Sequence, residues 1–157
     1  MSTEIREAKV EDLEAIQELS IKLSDKEAEE FDPTIDPEWN STEEAVDYYR
    51  KRINEENGFA MVAEDDGQIT GYVLGSITDT EAYREDLNIA ELGSMYILPE
   101  YRSQGIGTEL MEQFNSWSKE KDADRLRVEA TAQNEDAIRF YRDNGFEDYA
   151  LTLERDL

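Results

Sequence analysis

The chain contains neither cysteine nor histidine. Without cysteine there is no disulfide, no thiolate metal site and no sulfur nucleophile. Without histidine there is no imidazole base, no Ser-His triad and none of the commonest metal ligand. No metal is therefore expected, and proton transfer falls to carboxylates, phenols or water. Basic residues are also scarce: 16 Lys and Arg stand against 40 Asp and Glu, a net charge of −24. Phosphate recognition needs clustered basic residues, so nucleic acid is a poor partner. No apolar run approaches the roughly 18 residues of a membrane helix. The opening MSTEIREAKVEDLEA has neither the basic nor the apolar part of a leader. A cytoplasmic protein without membrane partners is expected.

The acid is spread along the chain rather than gathered in a tail. Such a surface repels itself at low salt, and at about 1 M salt the Debye length of roughly 3 Å screens most of that repulsion. The acidic composition reads as adaptation to molar salt, a halophilic trait. The rival reading, attraction of a polycationic substrate, needs a more focused charge. With 157 residues, one domain is expected, able to bury about two-thirds of its unfolded surface.

The most informative stretch is Glu91 to Leu110, ELGSMYILPEYRSQGIGTEL. Leu92 and Met95 to Leu98 read as a strand that Pro99 stops. Arg102-Ser103-Gln104-Gly105-Ile106-Gly107 follows. Ile106, Leu110, Met111, Phe114 and Trp117 then share one helix face. A strand, a glycine loop and a helix N-terminus can hold an anion, because the first helical amides are unpaired and the glycines let a phosphate approach. A dinucleotide fingerprint is excluded, since its third glycine falls on Leu110. A P-loop is excluded because no GxxxxGK[ST] occurs.

The remainder reads in order. Thr3 to Ala8 is a first strand. A helix begins near Val10, with Leu13, Ile16, Leu19, Ser20 and Leu23 on one face; Lys9 is a weak cap for it. Ser24 to Asn40, with Pro33 and Pro37, reads as an acidic loop. Ser41 and Glu44 form a capping box for a second helix. Phe59 to Glu64 and Ile69 to Thr78 form a hairpin. Leu126 to Thr131 alternate as a fifth strand, Asn134 caps a short helix that Asn144-Gly145 ends, and Phe146 to Leu153 return as a last strand.

Two segments, RxxGxG after the strand ending in Tyr-Ile-Leu-Pro-Glu-Tyr and Asn134-x-x-Ala137-x-x-x-Tyr141-x-x-x-Gly145-Phe146, resemble the motifs of the GNAT superfamily of N-acetyltransferases. The resemblance implies an α/β single-domain GNAT fold: a mixed central sheet of six to seven strands flanked by about four helices. It implies acetyl-CoA as co-substrate and a primary amine, of a small molecule or a peptide, as acceptor. The amine would attack directly in a ternary complex. The pyrophosphate would lie on the amides of Ser103, Gln104, Gly105, Ile106, Gly107 and Thr108, beside Arg102. The pantetheine arm would pair with Met95, Tyr96 and Ile97, and Asn134 would contact its amide. Tyr141 would protonate the CoA sulfur.

For the base, Glu129 lies where relatives that acetylate protein N-termini carry a glutamate. Glu91 lies where histone-acetylating relatives carry theirs; a water chain is the third choice. Ser24 to Asn40 is either a solvated loop or an acceptor lid walled by Phe31 or Trp39. Dimers are common in the family, so a homodimer stays open. The competing reading is a catalytically silent module that binds acetyl-CoA as a sensor or scaffold.

Overall fold

A computed structural model of the protein describes residues 3–157. The strands are β1 (Thr3–Glu7), β2 (Gly58–Asp65), β3 (Gln68–Asp79), β4 (Asn88–Ile97) and β5 (Arg125–Val128). The helices are α1 (Leu13–Glu30), α2 (Glu43–Asn54), α3 (Ile106–Glu120) and α4 (Glu135–Asp143). One sheet holds the five strands in the order β1-β2-β3-β4-β5. All neighbours are antiparallel except β4 and β5, which run parallel.

Each face of the sheet carries its own core. On one, Ile16, Leu19, Ala45 and Tyr49 of α1 and α2 pack against Val62, Tyr72 and Leu74. On the other, the predicted α3 stripe of Ile106, Leu110, Met111 and Phe114 packs against Phe59, Met61, Val73 and Leu92. Asp66 (φ 50°) and Gly67 (φ 83°) make the β2–β3 turn, whose two left-handed residues match the twist of a hairpin.

Several expectations are corrected. The sheet has five strands, not six to seven. Among the described residues, 146–153 form no ladder, and no backbone hydrogen bond ties 147–153 to a strand. The fifth strand ends at Val128, so Glu129 lies beyond it. The α1 helix continues through Ser24 to Glu30 rather than yielding to a loop; Ala, Glu and Lys are good helix formers, and acidity alone does not stop a helix. Thr42, not Ser41, caps α2 by accepting from the Ala45 amide at 3.2 Å, since Ser41 closes a short 3₁₀ turn over Pro37–Ser41. Glu44 instead accepts from the Trp39 indole N–H at 3.1 Å. The weak start at Lys9 is offset by Asp12. Its carboxylate accepts the Lys9 amide at 2.8 Å and is held by Arg6 at 2.8 and 2.9 Å. The Arg6 guanidinium keeps that carboxyl below its ordinary pKa.

Candidate functional site

The site begins with a defect in β4. Leu74 faces Ser94 in the register and Gly75 faces Leu92, which leaves Gly93 as a bulge. A bulge shifts the side-chain alternation by one. Thus Ala90 and Leu92, then Met95 and Ile97, pack toward α3, while Tyr96 and Leu98 pack toward α1 and α2. A Cβ at Gly93 would sit 2.5 Å from the Tyr48 hydroxyl, so only glycine allows that phenol to rest on the bulge. The β5 pairing covers Ile89 to Leu92 and stops there. Past the bulge, the side of Gly93 to Ile97 that faces away from β3 has no strand partner among the described residues. Extended chain with free hydrogen-bonding groups is where another extended molecule can pair.

At the end of this open edge stands the glycine loop. Gly105 (φ 85°) is the residue before α3, and Ser103 is also left-handed (φ 61°). The amides of Ile106 to Thr108 have no intrahelical acceptor, and among the described residues those of Ser103 to Gly105 find none. Arg102 differs from expectation. Its Nε donates to the Ile97 carbonyl at 2.8 Å and its guanidinium lies 5.1 Å from the Tyr96 ring centre. It fastens the loop to β4, and an anion there would meet its Nη groups only. Gly107 lies close to Ile97 and Phe140, joining loop, strand and α4.

Asn134 caps α4 by accepting from the Ala137 amide at 3.2 Å, and among the described residues its NH₂ makes no hydrogen bond. Tyr141 is half-buried between Phe140 and Phe146, with ring centres at 5.5 and 5.7 Å. No hydrogen bond ties its hydroxyl among the described residues. Burial, and secondly the charge of Glu27, pushes the phenol up to about 12. The hydroxyl therefore stays protonated at neutral pH.

The carboxylates differ. Glu129 is exposed. Glu91 is half-buried, in register with Ser76 and Arg127, and faces a cavity of about 300 Å³ with Lys51 and Arg52. Its charge acts on Tyr48. A third, Glu27 of α1, escapes sequence reasoning because that stretch reads as a solvated loop. Burial pushes its carboxyl up; Lys26 opposes the rise and Asp32 adds to it. Trp39 stands edge-on to Tyr48 at 6.1 Å, so an aromatic pair walls the bulge. Beneath it, Ser20 donates to the Tyr72 hydroxyl at 2.9 Å, and that hydroxyl meets Ser94 at 2.6 Å.

A sheet that parts between two parallel strands, with bare helix amides at one end of the opening, defines a class of α/β protein suited to a long anionic ligand. The model of the Acetyltransferase (GNAT) family matches residues 22–146, and the chain belongs to that family. An uncharacterized N-acetyltransferase of Archaeoglobus fulgidus is 30% identical over 94 residues, 60% of this chain and 63% of the relative. N-alpha-acetyltransferase 60 of Xenopus tropicalis is 27% identical over 124 residues, 69% of this chain and 51% of the relative. An N-alpha-acetyltransferase of Sulfurisphaera tokodaii is 26% identical over 106 residues, 64% of each chain. The chain thus spans less than two-thirds of the length of these relatives. In fold it is similar to an aminoglycoside N-acetyltransferase in complex with CoA (TM-score 0.77, 16% identity, 99% of this chain and 95% of that one). It is also similar to an acetyltransferase of Clostridium acetobutylicum with acetyl-CoA (TM-score 0.78, 19% identity, 99% and 96%).

Proposed function

We propose that this protein is an acetyl-CoA-dependent N-acetyltransferase acting on a primary amine by direct attack in a ternary complex. The observation that carries the reading is the open edge of β4 past Gly93, with the bare amides of Ser103 to Thr108 beyond its end and Tyr141, its hydroxyl untied, packed in the same cluster as Met95 and Ile97. Those features fit acetyl-CoA: amides for the pyrophosphate, free strand edge at Met95, Tyr96 and Ile97 for the amide-bearing arm, and Asn134 beside it. When bound, it supplies an activated acetyl thioester. A β4 amide polarises the carbonyl, Tyr141 gives its proton to the departing sulfur, and a carboxylate takes the proton of the amine.

Among Glu27, Glu91 and Glu129, Glu27 best suits the base, because burial already raises its pKa and its charge reaches Tyr141. For the acceptor, the two relatives named as N-alpha-acetyltransferases favour peptide amino termini. Trp39 and Tyr48 would then wall the acceptor side. The acidic surface we read as salt adaptation in a cytoplasmic protein.

The test has two stages. Acetyl-CoA at a hundred times its dissociation constant should add about 2.7 kcal/mol to stability in thermal denaturation. Peptides with free amino termini should then release CoA thiol, which a thiol reagent reads without background because the chain has no cysteine. No thermal shift from a cooperatively folded protein would sink the CoA site. A shift without turnover on any amine would favour the silent sensor or scaffold.

A further inference from the structure

The cavity beside Glu91 holds a cation that the rest of the chain leaves unmatched. Arg52 stands in the last turn of α2 and is half-buried. Its guanidinium carbon lies 4.0 Å from the centre of the Tyr48 ring. Its Nε is buried and meets no acceptor, and among the described residues the side chain enters no ion pair. The end of a helix favours a cation, which accounts for Lys51 and Arg52 occupying this turn. It does not account for a buried donor without an acceptor, which costs stability that a solvated arginine would keep. With 40 Asp and Glu in the chain, a counter-ion was available almost anywhere. Glu91 lines the same cavity, yet the two do not pair.

The walls of this cavity are firmly set. A Cβ on Gly58 would fall 2.5 Å from the Lys51 carbonyl and 2.8 Å from Arg52 Cα, so only glycine lets β2 begin flat against this turn of α2. The Ile77 amide donates to the Asn57 carbonyl at 2.9 Å and ties β3 to the same corner. Ser76, in register with Glu91, lines the cavity together with Thr78. The space of about 300 Å³ suits a small polar group. It also adjoins the open half of β4. Tyr48 carries Arg52 on its ring, and its hydroxyl rests on the Gly93 bulge. The cation and the bulge are therefore one phenol apart. Burial raises the pKa of that phenol, Arg52 opposes the rise and Glu91 adds to it, so both charges reach it.

A planar guanidinium with free N–H groups takes a carboxylate through paired hydrogen bonds. We propose, resting on the acetyltransferase reading above, that Arg52 binds a carboxylate of the acceptor, so that the preferred substrates are amines with an acidic group close to the amine. A chain of net charge −24 repels such a substrate over most of its surface, and a cation kept free of internal partners is what its recognition requires. Half-buried, the pair is screened by molar salt much less than a surface pair. Two sources share this chemistry: an Asp or Glu side chain early in a peptide, and the carboxylate of a free amino acid.

The experiment measures release of CoA thiol in molar KCl from two matched pairs of acceptors. One pair is the peptide amides Ala-Glu-Ala-Ala and Ala-Gln-Ala-Ala, the other alanine and alanine amide. The acidic member of a pair should have the higher kcat/KM, on the order of 10- to 100-fold and carried mostly by KM. A preference within the peptide pair assigns the carboxylate to a side chain, and one within the alanine pair assigns it to the amino acid itself. Arg52→Gln should bring the ratio close to unity, while Arg52→Lys, which keeps the charge and loses the fork, should retain part of it. Acetyl-CoA should still shift the thermal unfolding of both variants, which shows them folded with the CoA site intact. Turnover by the unaltered protein without preference in either pair would overturn the subsite and leave the acetyltransferase reading standing. So would a preference that survives Arg52→Gln undiminished. No thermal shift, or no thiol released by any amine, would overturn that reading and the subsite with it.

Discussion

The two halves of β4 are one continuous strand and behave as two different objects. From Ile89 to Leu92 it is paired on both sides, to β3 and β5, and Ile89, Ala90 and Leu92 are buried. From Gly93 to Ile97 it keeps β3 but has no neighbour on the other side, and Met95 and Ile97 remain half-exposed. The amino acids do not explain this difference, since the second half is no more polar than the first. What differs is where β5 stops and where Gly93 inserts its extra residue. A fold leaves apolar side chains and free backbone groups at such a place only if something else completes them. On the proposed reading the first half holds the sheet and the second meets acetyl-CoA, and variants should separate the two.

The largest effect is expected from the first half's support. Phe114 is fully buried, tilted against Phe59 at 5.5 Å, and lies where a Cβ on Gly75 would come within 2.6 Å of it. Phe114→Ala should cost about 3–5 kcal/mol of stability in urea unfolding. Acetyl-CoA affinity of the folded fraction should stay within about twofold. An affinity loss as large as the stability loss would show that the halves are one unit.

Two chemical variants should come next, each lowering kcat on the order of 10²-fold. Tyr141→Phe removes the donor and keeps the ring between Phe140 and Phe146, so acetyl-CoA affinity should hold while turnover falls. Glu27→Gln removes the favoured base. Because that base works ionised, kcat/KM of the parent should climb with pH through the raised Glu27 pKa, and the climb should vanish in the variant. The stability sign is opposite. Burial raises the folded pKa above the unfolded value of about 4.3, so the native state holds the proton longer and loses stability as pH rises through that window. Glu27→Gln should therefore be at least as stable as the parent at pH 7. A climb that persists in the variant would move the role to Glu91, Glu129 or water.

Much of this arrangement was legible in the sequence, for reasons that can be named. The α3 stripe, the Asp66-Gly67 turn and the Asn134 cap are local: each follows from periodicity or from a residue's own backbone preference. The glycine loop was legible as an anion site because strand, glycine and helix start are consecutive. The bulge at Gly93 was not, since a one-residue slip depends on the partner strand, which lies elsewhere in the chain. Glu27 was missed because its acidic neighbours suggested a loop, and burial by distant residues is not a property of a window. Residues 146–153 read as a last strand and form none in the structure, because an alternating pattern reports the preference of a segment and not whether a partner strand meets it. Arg102 was placed beside the loop, but its reach back to Ile97 belongs to the third dimension.

The smallest effect sharpens the comparison most. Gly105 sits at φ 85° with no atom within 4 Å of where a Cβ would go. A side chain there meets no steric obstacle, so any cost comes from the left-handed backbone alone, about 1–2 kcal/mol for a residue with a Cβ. Gly105→Val can relieve that cost by letting the loop leave the conformation that aims its amides. The free protein should lose little stability, because those amides find no acceptor among the described residues. Bound acetyl-CoA should hold the loop in place and so bear the cost, weakening affinity about tenfold, the factor that 1.4 kcal/mol represents. Gly75→Val is the matched control in the first half: its Cβ would collide with Phe114 and the Glu91 carbonyl, so it should unfold more readily with affinity preserved. If Gly105→Val instead lowered stability as much as affinity, the loop would be part of the scaffold, and the division of β4 would have to be drawn nearer to Ile97.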